Sequence, residues 1–185
     1  CETSVLAYGS TAIKAEIPID PALWSPDAPN LYRLDIHLYR HGMLIDRVSI
    51  RFAYREIVWT DHGMFVNGEP TMVKGICCHQ DHAGVGIAVP KALNRYRIEK
   101  LKAMGCNAYR CAHNAVSEDF LDLCDEMGML VMAENRHFTS SDETLHQLDS
   151  LVKRSRNHPS VFLYSLFNEE PWQAEPRGRR IAETL

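Results

Sequence analysis

Four short apolar runs in the second half of the chain each end in polar, titratable groups. The first delivers His79, Gln80, Asp81 and His82. Arg110 lies within the second, and His113 and Asn114 come just past it. Glu134, Asn135, Arg136 and His137 follow the third. Asn168, Glu169 and Glu170 follow the fourth. A carboxyl at the mouth of an apolar strand is partly desolvated, which favours its neutral form. A neutral carboxylic acid can protonate a leaving oxygen, and Glu169 has that address. Asn168 beside it can hydrogen-bond a substrate hydroxyl. A plainer reading stands next to this one. Pro171 marks a helix start, and acids favour helix N-termini, a description that suits Glu170 better than Glu169.

The other polar groups gain meaning from company. His113 alone reads as a structural histidine, but Arg110 shares its strand end. A buried arginine needs an anion, and a carboxylate of the site is the natural partner. Trp172 is either a stacking platform for a sugar or a loop-packing residue. Trp24 and Trp59 read as core or interface residues. Cys77, Cys78, His79 and His82 cluster in sequence, and thiolates with imidazoles suit zinc. No second Cys/His pair follows at finger spacing, so packed, reduced cysteines are the better description. Cys106, Cys111 and Cys124 read as core.

These groups need a scaffold, and the periodicity supplies one. The first 57 residues read as β. Tyr32, Leu34, Ile36 and Leu38 alternate with polar residues, as in a strand with one buried face. His41-Gly42 turns the chain, and Met43 to Arg51 returns. Thr11 to Ile17 is a further strand candidate, separated from the hairpin by Pro18, Pro21, Pro26 and Pro29. A second hairpin pairs Glu56–Thr60 with Met64–Val66, and Asn67-Gly68 makes a tight turn. From Thr71 strands alternate with helices. Strands are expected at Met72–Ile76, Ala108–Cys111, Met129–Ala133 and Val161–Phe167, the last apolar enough for burial on both faces. Between them lie a helix from Pro90 to Met104, with Ile98, Leu101 and Met104 on one side, and a helix capped by Ser117 and ended by Gly128. A third has a Ser140/Glu143 capping box and ends at Asn157-His158-Pro159. A last helix spans Arg179 to Leu185.

That β-α-β-α-β-α-β order, at roughly 30 residues per unit, is typical of parallel βα folds. A complete (β/α)8 barrel takes about 250 residues, so four units are half of one. In such a barrel every strand end named above lies on one face, the face that holds active sites.

Composition agrees with a globular chain. It has 185 residues, of which 45% are hydrophobic and 24% charged, and its formal net charge is −4. No run approaches ~18 uncharged apolar residues, which argues against a transmembrane helix. A mildly acidic chain without a basic stripe is a poor nucleic-acid binder. Six cysteines are too sparse for a disulfide scaffold. The first residue is Cys1, no signal peptide is visible, and the last helix runs to Leu185. An internal piece of a longer protein is therefore expected, with cytoplasmic location favoured over periplasmic or secreted.

The residues resemble glycoside hydrolase family 2, the β-galactosidase and β-glucuronidase group. The resemblance rests on Trp24-Ser25-Pro26 with Pro29-Asn30-Leu31-Tyr32, on Arg51-Phe52-Ala53-Tyr54-Arg55-Glu56 and on Val66-Asn67-Gly68-Glu69-Pro70. It continues through Lys74-Gly75-Ile76-Cys77-Cys78-His79-Gln80-Asp81-His82 and the Gly105–Asn114 segment. It ends with Leu123–Val131, Arg156–Val161 and Tyr164-Ser165-Leu166-Phe167-Asn168-Glu169. It implies a retaining β-glycosidase with Glu169 as acid/base and Asn168 on the sugar 2-hydroxyl. Arg110 would orient the nucleophile, and His79 and His113 would line the sugar pocket. Asp81, Glu134 and Trp172 complete the expected substrate-binding set, Glu134 supporting from behind. The nucleophile would be a glutamate on the seventh barrel strand, which these four units do not contain.

The architecture so implied is an immunoglobulin-like β-sandwich, whole or in part, over residues 1–57 and the first half of a TIM barrel over residues 58–185. Two departures stand out. Tyr164 and Phe167 replace the family's Trp and Gly. Glu134-Asn135-Arg136-His137 does not reproduce the acid-Thr-His metal arrangement of some members, so neither a metal nor any other cofactor is expected. His79-Gln80-Asp81-His82 looks closest to the β-galactosidase branch. A β-galactoside or related carbohydrate is the expected partner, with no nucleic acid or membrane, and a homo-oligomer. The alternatives are a β-glucuronidase, for which Arg136 and Arg177 are the local cations able to meet a carboxylate, a β-mannosidase, or a non-catalytic carbohydrate-binding or structural module.

Overall fold

The computed structural model describes residues 9–185. Three sheets follow one another along the chain. Strands β1 (Tyr32–Arg40) and β2 (Met43–Phe52) form an antiparallel hairpin. Strands β3 (Ile57–Thr60), β4 (Gly63–Val66) and β5 (Glu69–Pro70) form a small antiparallel sheet. Strands β6 (Gly75–His79), β7 (Ala108–Ala112), β8 (Leu130–Glu134) and β9 (Val161–Ser165) lie side by side in that order, all parallel. Helices α1 (Lys91–Ala103), α2 (Glu118–Met127) and α3 (Asp142–Ser155) connect them, and α4 (Pro176–Thr184) follows β9. This is the strand order of a βα barrel over four units.

Alternation decides what each face of the parallel sheet does. Ile76, Cys78, Tyr109, Cys111, Val131, Ala133 and Tyr164 project outward. They meet Ile98 and Leu101 of α1, Phe120, Leu123 and Cys124 of α2, and Leu148 and Leu151 of α3. Cys77, Arg110, Met132 and Leu163 are register partners across the other face, and Glu134 lies two residues beyond Met132. Helix ends follow local chemistry. Ser117 accepts a hydrogen bond from Phe120 N, as expected of the α2 cap, and Gly128 ends the helix at φ +67°. A side chain at Gly128 would also run into Pro26 O at 2.1 Å. The close approach seats the Trp24–Pro29 loop, where fully buried Trp24 donates from Nε1 to Asp125 O at 2.9 Å.

Several expectations are corrected. Thr11–Ile17 forms no strand, because no described strand pairs with it and its residues are exposed. The Leu34/Ile36/Leu38 face is solvent-facing, Leu38 being 54% exposed, since among the described residues the two-stranded hairpin has no element packed on that face. The first parallel strand runs Gly75–His79 rather than Met72–Ile76. Gly75 seats its backbone against Ala108, which fixes where pairing begins. Met104 is exposed beyond the end of α1, whereas Ile98 and Leu101 are buried as expected. The α3 cap is Ser141, which accepts from Thr144 N, not Ser140. Strand β9 stops at Ser165 and is not buried on both faces. It is the edge of its sheet, so Leu163 is 38% exposed. No helix begins at Pro171; turns lead to α4 at Pro176. Trp59 is 53% exposed and stacks on Phe162. Cys111 and Cys124 are core residues, and Cys106 is half-buried.

Candidate active site

Parallel pairing brings the ends of β6, β7, β8 and β9 to one edge, and the polar groups of that edge meet. Glu134 is the centre. It ends β8, is fully buried, and accepts from Arg110 Nε at 2.7 Å through Oε2. Its Oε1 lies 2.6 Å from His113 Nδ1. Arg110 Nη2 donates to Asn168 Oδ1 at 2.6 Å, and its Nη1 reaches Cys77 Sγ at 3.9 Å. The His79 ring stands edge-on to His113, centroids 5.3 Å apart. One arginine therefore ties together residues from four strand ends.

The electrostatics follow from this geometry. Burial alone would lower the Arg110 pKa, but its hydrogen bond to Glu134 and the facing negative charge outweigh that and raise it. The cation is held, not tuned. Its fork geometry sets Asn168 and His113 relative to Glu134, which a point charge on a lysine would not do. The anion expected for Arg110 is thus Glu134.

Glu169 follows Asn168 at φ +44°, in the left-handed region that a residue with a Cβ rarely adopts. The backbone turns there directly after the residue that Arg110 holds. The side chain is exposed, not partly desolvated as the sequence implied. The reason is that it stands past the last pairing of the edge strand β9. Glu170 is half-buried and comes within 4.0 Å of Arg136 Nη1. Asp81 is exposed in the loop after β6. The His79 carbonyl is held by Arg97 Nη2 at 2.8 Å. Trp172 lies under the Arg177 guanidinium, 5.4 Å from the ring centroid, and lines a cavity against α4. The structure thus gathers His79, Arg110, His113, Glu134 and Asn168 into one network, while Glu169 adjoins it along the chain and Asp81 is outside its hydrogen bonds.

The Cys77, Cys78, His79 and His82 run does not gather into a ligand set. Among the described residues the acid–imidazole group with converging atoms is Asp122, Asp125 and His158. Those atoms have structural partners already. Asp125 accepts from Ser160 N at 3.0 Å and Ser160 Oγ at 2.5 Å, His158 Nδ1 lies 2.7 Å from it, and Asp122 pairs with Arg51. Sequence reasoning passed over this node, although Asn157-His158-Pro159 marked its place. It also passed over Phe138, whose ring lies 3.8 Å from that of Phe167.

Comparison with known proteins gives a consistent result. The model described as "Glycosyl hydrolases family 2, TIM barrel domain" matches residues 57–183, and that described as "Glycosyl hydrolases family 2" matches residues 3–55. The chain is 36% identical over 193 residues to a putative β-glucuronidase of Formosa agariphila, covering 97% of this chain and 19% of that protein. It is 36% identical over 168 residues to a β-galactosidase of Bacteroides ovatus, covering 82% of this chain and 20% of that one. Among solved structures, a β-glycosidase from Bacteroides vulgatus superposes with a TM-score of 0.79 at 36% identity, over 86% of this chain and 22% of that chain. A β-galacturonidase from Eisenbergiella tayi, bound to galacturonate, superposes with a TM-score of 0.80 at 29% identity, over 92% and 32% respectively. The chain spans about a fifth of the length of the curated relatives it matches.

Proposed function

The chain belongs to glycosyl hydrolase family 2, and on that premise we propose that it is the acid/base half of a retaining exo-β-glycosidase acting on terminal β-D-galactosides. The observation that carries the reading is the Arg110–Glu134–His113–Asn168 network at the strand ends, with Glu169 adjoining it. Glu169 protonates the glycosidic oxygen as the leaving group departs and then deprotonates the water that frees the enzyme-bound sugar. Asn168, fixed by Arg110, meets the sugar 2-hydroxyl. Arg110 presents its remaining N–H groups to the nucleophilic carboxylate supplied by the rest of the parent barrel, and His79 and His113 wall the pocket. Retention places the two carboxyl groups ~5–5.5 Å apart. The isolated 185-residue chain, without that nucleophile, is expected to be inactive. Residues 1–57 are the proposed part of an immunoglobulin-like sandwich and residues 58–185 the proposed first half of the catalytic barrel, in a parent that assembles as a homo-oligomer.

The test is made on the full-length parent. Glu169→Ala spares the first step for aryl glycosides with good leaving groups, which need little protonation. It slows the second step, and azide restores turnover as a β-glycosyl azide. An azide product of inverted configuration would make Glu169 the nucleophile instead. The similarity to a putative β-glucuronidase over nearly the whole chain supports a second reading, in which the terminal sugar is a uronic acid. Parallel kinetics on 4-nitrophenyl β-galactoside and β-glucuronide decide between them.

A further inference from the structure

Beside the ends of β8 and β9 lies a cavity of about 560 Å³ that the Arg110 network does not use. Its volume is in the range of small-ligand sites, ~300–1,000 Å³. One of its walls is basic. Arg177 and Arg180 are three residues apart on α4, hence on one face of that helix, and both line the cavity. Among the described residues neither guanidinium has an ion-pair partner. Arg177 is held against the wall by the face of Trp172. Trp172 Nε1 is a buried donor with no acceptor. The Thr139–Ser141 turn that caps α3 completes the lining with hydroxyl groups; the acids of the first turn of that helix, Asp142 and Glu143, are not among the lining residues. Among the described residues no aspartate or glutamate lines the cavity. A concave site with two unpaired guanidinium forks and no acid favours an oxyanion, carboxylate or sulfate alike.

Its place says which part of a substrate would bring that anion. Phe138, on the cavity wall, stacks on Phe167, which directly precedes Asn168 and Glu169. Trp172 is three residues past Glu169. The group that an acid/base protonates is the leaving-group oxygen, and the cavity adjoins the Glu169 turn through Trp172 and the Phe138–Phe167 contact, which suits a leaving-group position. We propose that this cavity is a subsite for a leaving-group sugar that carries a carboxylate or a sulfate ester, held by Arg177 and Arg180. The proposal rests on the reading of Glu169 as acid/base. It differs from the uronic-acid alternative above, because the anion is on the unit released and not on the terminal sugar.

The experiment is binding, measured by calorimetry on the full-length parent with sulfur-linked disaccharides that resist hydrolysis. Their terminal unit is the sugar that the parent releases fastest from its 4-nitrophenyl β-glycoside. Their second unit is neutral, C6-carboxylated or C6-sulfated. An acidic second unit should lower Kd about tenfold relative to the neutral one. Arg177→Met/Arg180→Met should remove that difference, the acidic Kd rising to the neutral value. Arg177→Lys/Arg180→Lys should keep part of it, as charge without the fork. Which acidic arm responds names the natural anion. Equal Kd values for neutral and both acidic disaccharides, or a preference that survives the methionine pair, would overturn the proposal. Loss of the acid/base reading would show elsewhere, as Glu169→Gln turnover undiminished on a poor leaving group.

Discussion

Phe138 and Phe167 hold the strand end that carries Glu169 from one side, ring centroids 3.8 Å apart and planes tilted by 35°. Arg110 holds it from the other, through Asn168. Between these two anchors the backbone enters its positive-φ turn at Glu169. Such a backbone persists only where its surroundings determine it. In the parent enzyme Phe138→Ala should therefore cut kcat about tenfold or more with KM nearly unchanged, because a small misplacement of an acid is felt in the transition state. Phe138→Leu should recover part of the loss. Steady-state kinetics on a poor leaving group, where protonation matters most, is the measurement. A change confined to thermal stability would make the pair simple packing.

Among the described residues, Glu134 is the carboxylate that both Arg110 and His113 touch. Glu134→Ala leaves a partly buried guanidinium without its anion. Such a break costs about 3–5 kcal/mol in full burial. Arg110 keeps 29% side-chain exposure, so roughly 2 kcal/mol is expected. The double variant Arg110→Met/Glu134→Ala should be less destabilised than the sum of the two singles. Chemical denaturation of the four proteins checks this, and additive losses would show that the pair is not a unit.

The βα order of the second half, the Arg110–anion pairing and the caps at Ser117 and Gly128 were legible because each follows from short-range rules: alternation, capping, and the cost of an unpaired charge. What was not legible depends on neighbours. The β1–β2 hairpin alternates as if half-buried, yet among the described residues no element covers Leu34 or Ile36. The apolar run from Val161 reads as an interior strand, yet its last residues leave the sheet to make the Asn168–Glu169 turn. The Phe138–Phe167 contact and the α4 cavity join residues 29 and more positions apart, and no local pattern announces them.

Arg51 carries the hairpin onto α2. It pairs with Asp122 and, at 2.5 Å, with Glu126, which Arg95 also reaches at 2.8 Å. Partial burial pushes the Glu126 pKa up, but the hydrogen bonds from Arg51 and Arg95 prevail and lower it. A carboxylate with a depressed folded-state pKa stabilises fully above its ordinary value and loses that contribution as pH falls through the depressed value. The thermal midpoint of the parent should thus hold from neutral pH to about 5 and decline below about 4.3, the unperturbed glutamate value. The pair is largely wet, so the share is below about 1 kcal/mol. Arg51→Met should flatten the acid limb by that share. An unchanged limb would assign acid sensitivity to other carboxylates.

The isolated 185-residue chain should self-associate. Strands β6 and β9 are the two edges of the parallel sheet among the described residues, each with one row of backbone groups unpaired. The sheet face that carries Cys77 and Leu163 is open, and in a closed barrel it would be packed. Leu34, Ile36, Val48 and Ile50 add a second apolar face on the hairpin. At ~25 cal/mol per Å², a few hundred Å² of such surface is worth several kcal/mol, comparable with the net stability of a domain. Two copies can cover it by pairing edge to edge or face to face. Size-exclusion chromatography with light scattering should show dimers or larger species, together with binding of a dye that reports apolar surface. Leu163→Lys, which puts a charge on the open face of the β9 edge, should shift the distribution toward monomer. A monodisperse monomer that unfolds cooperatively and binds no dye would show that four βα units cover their own edges.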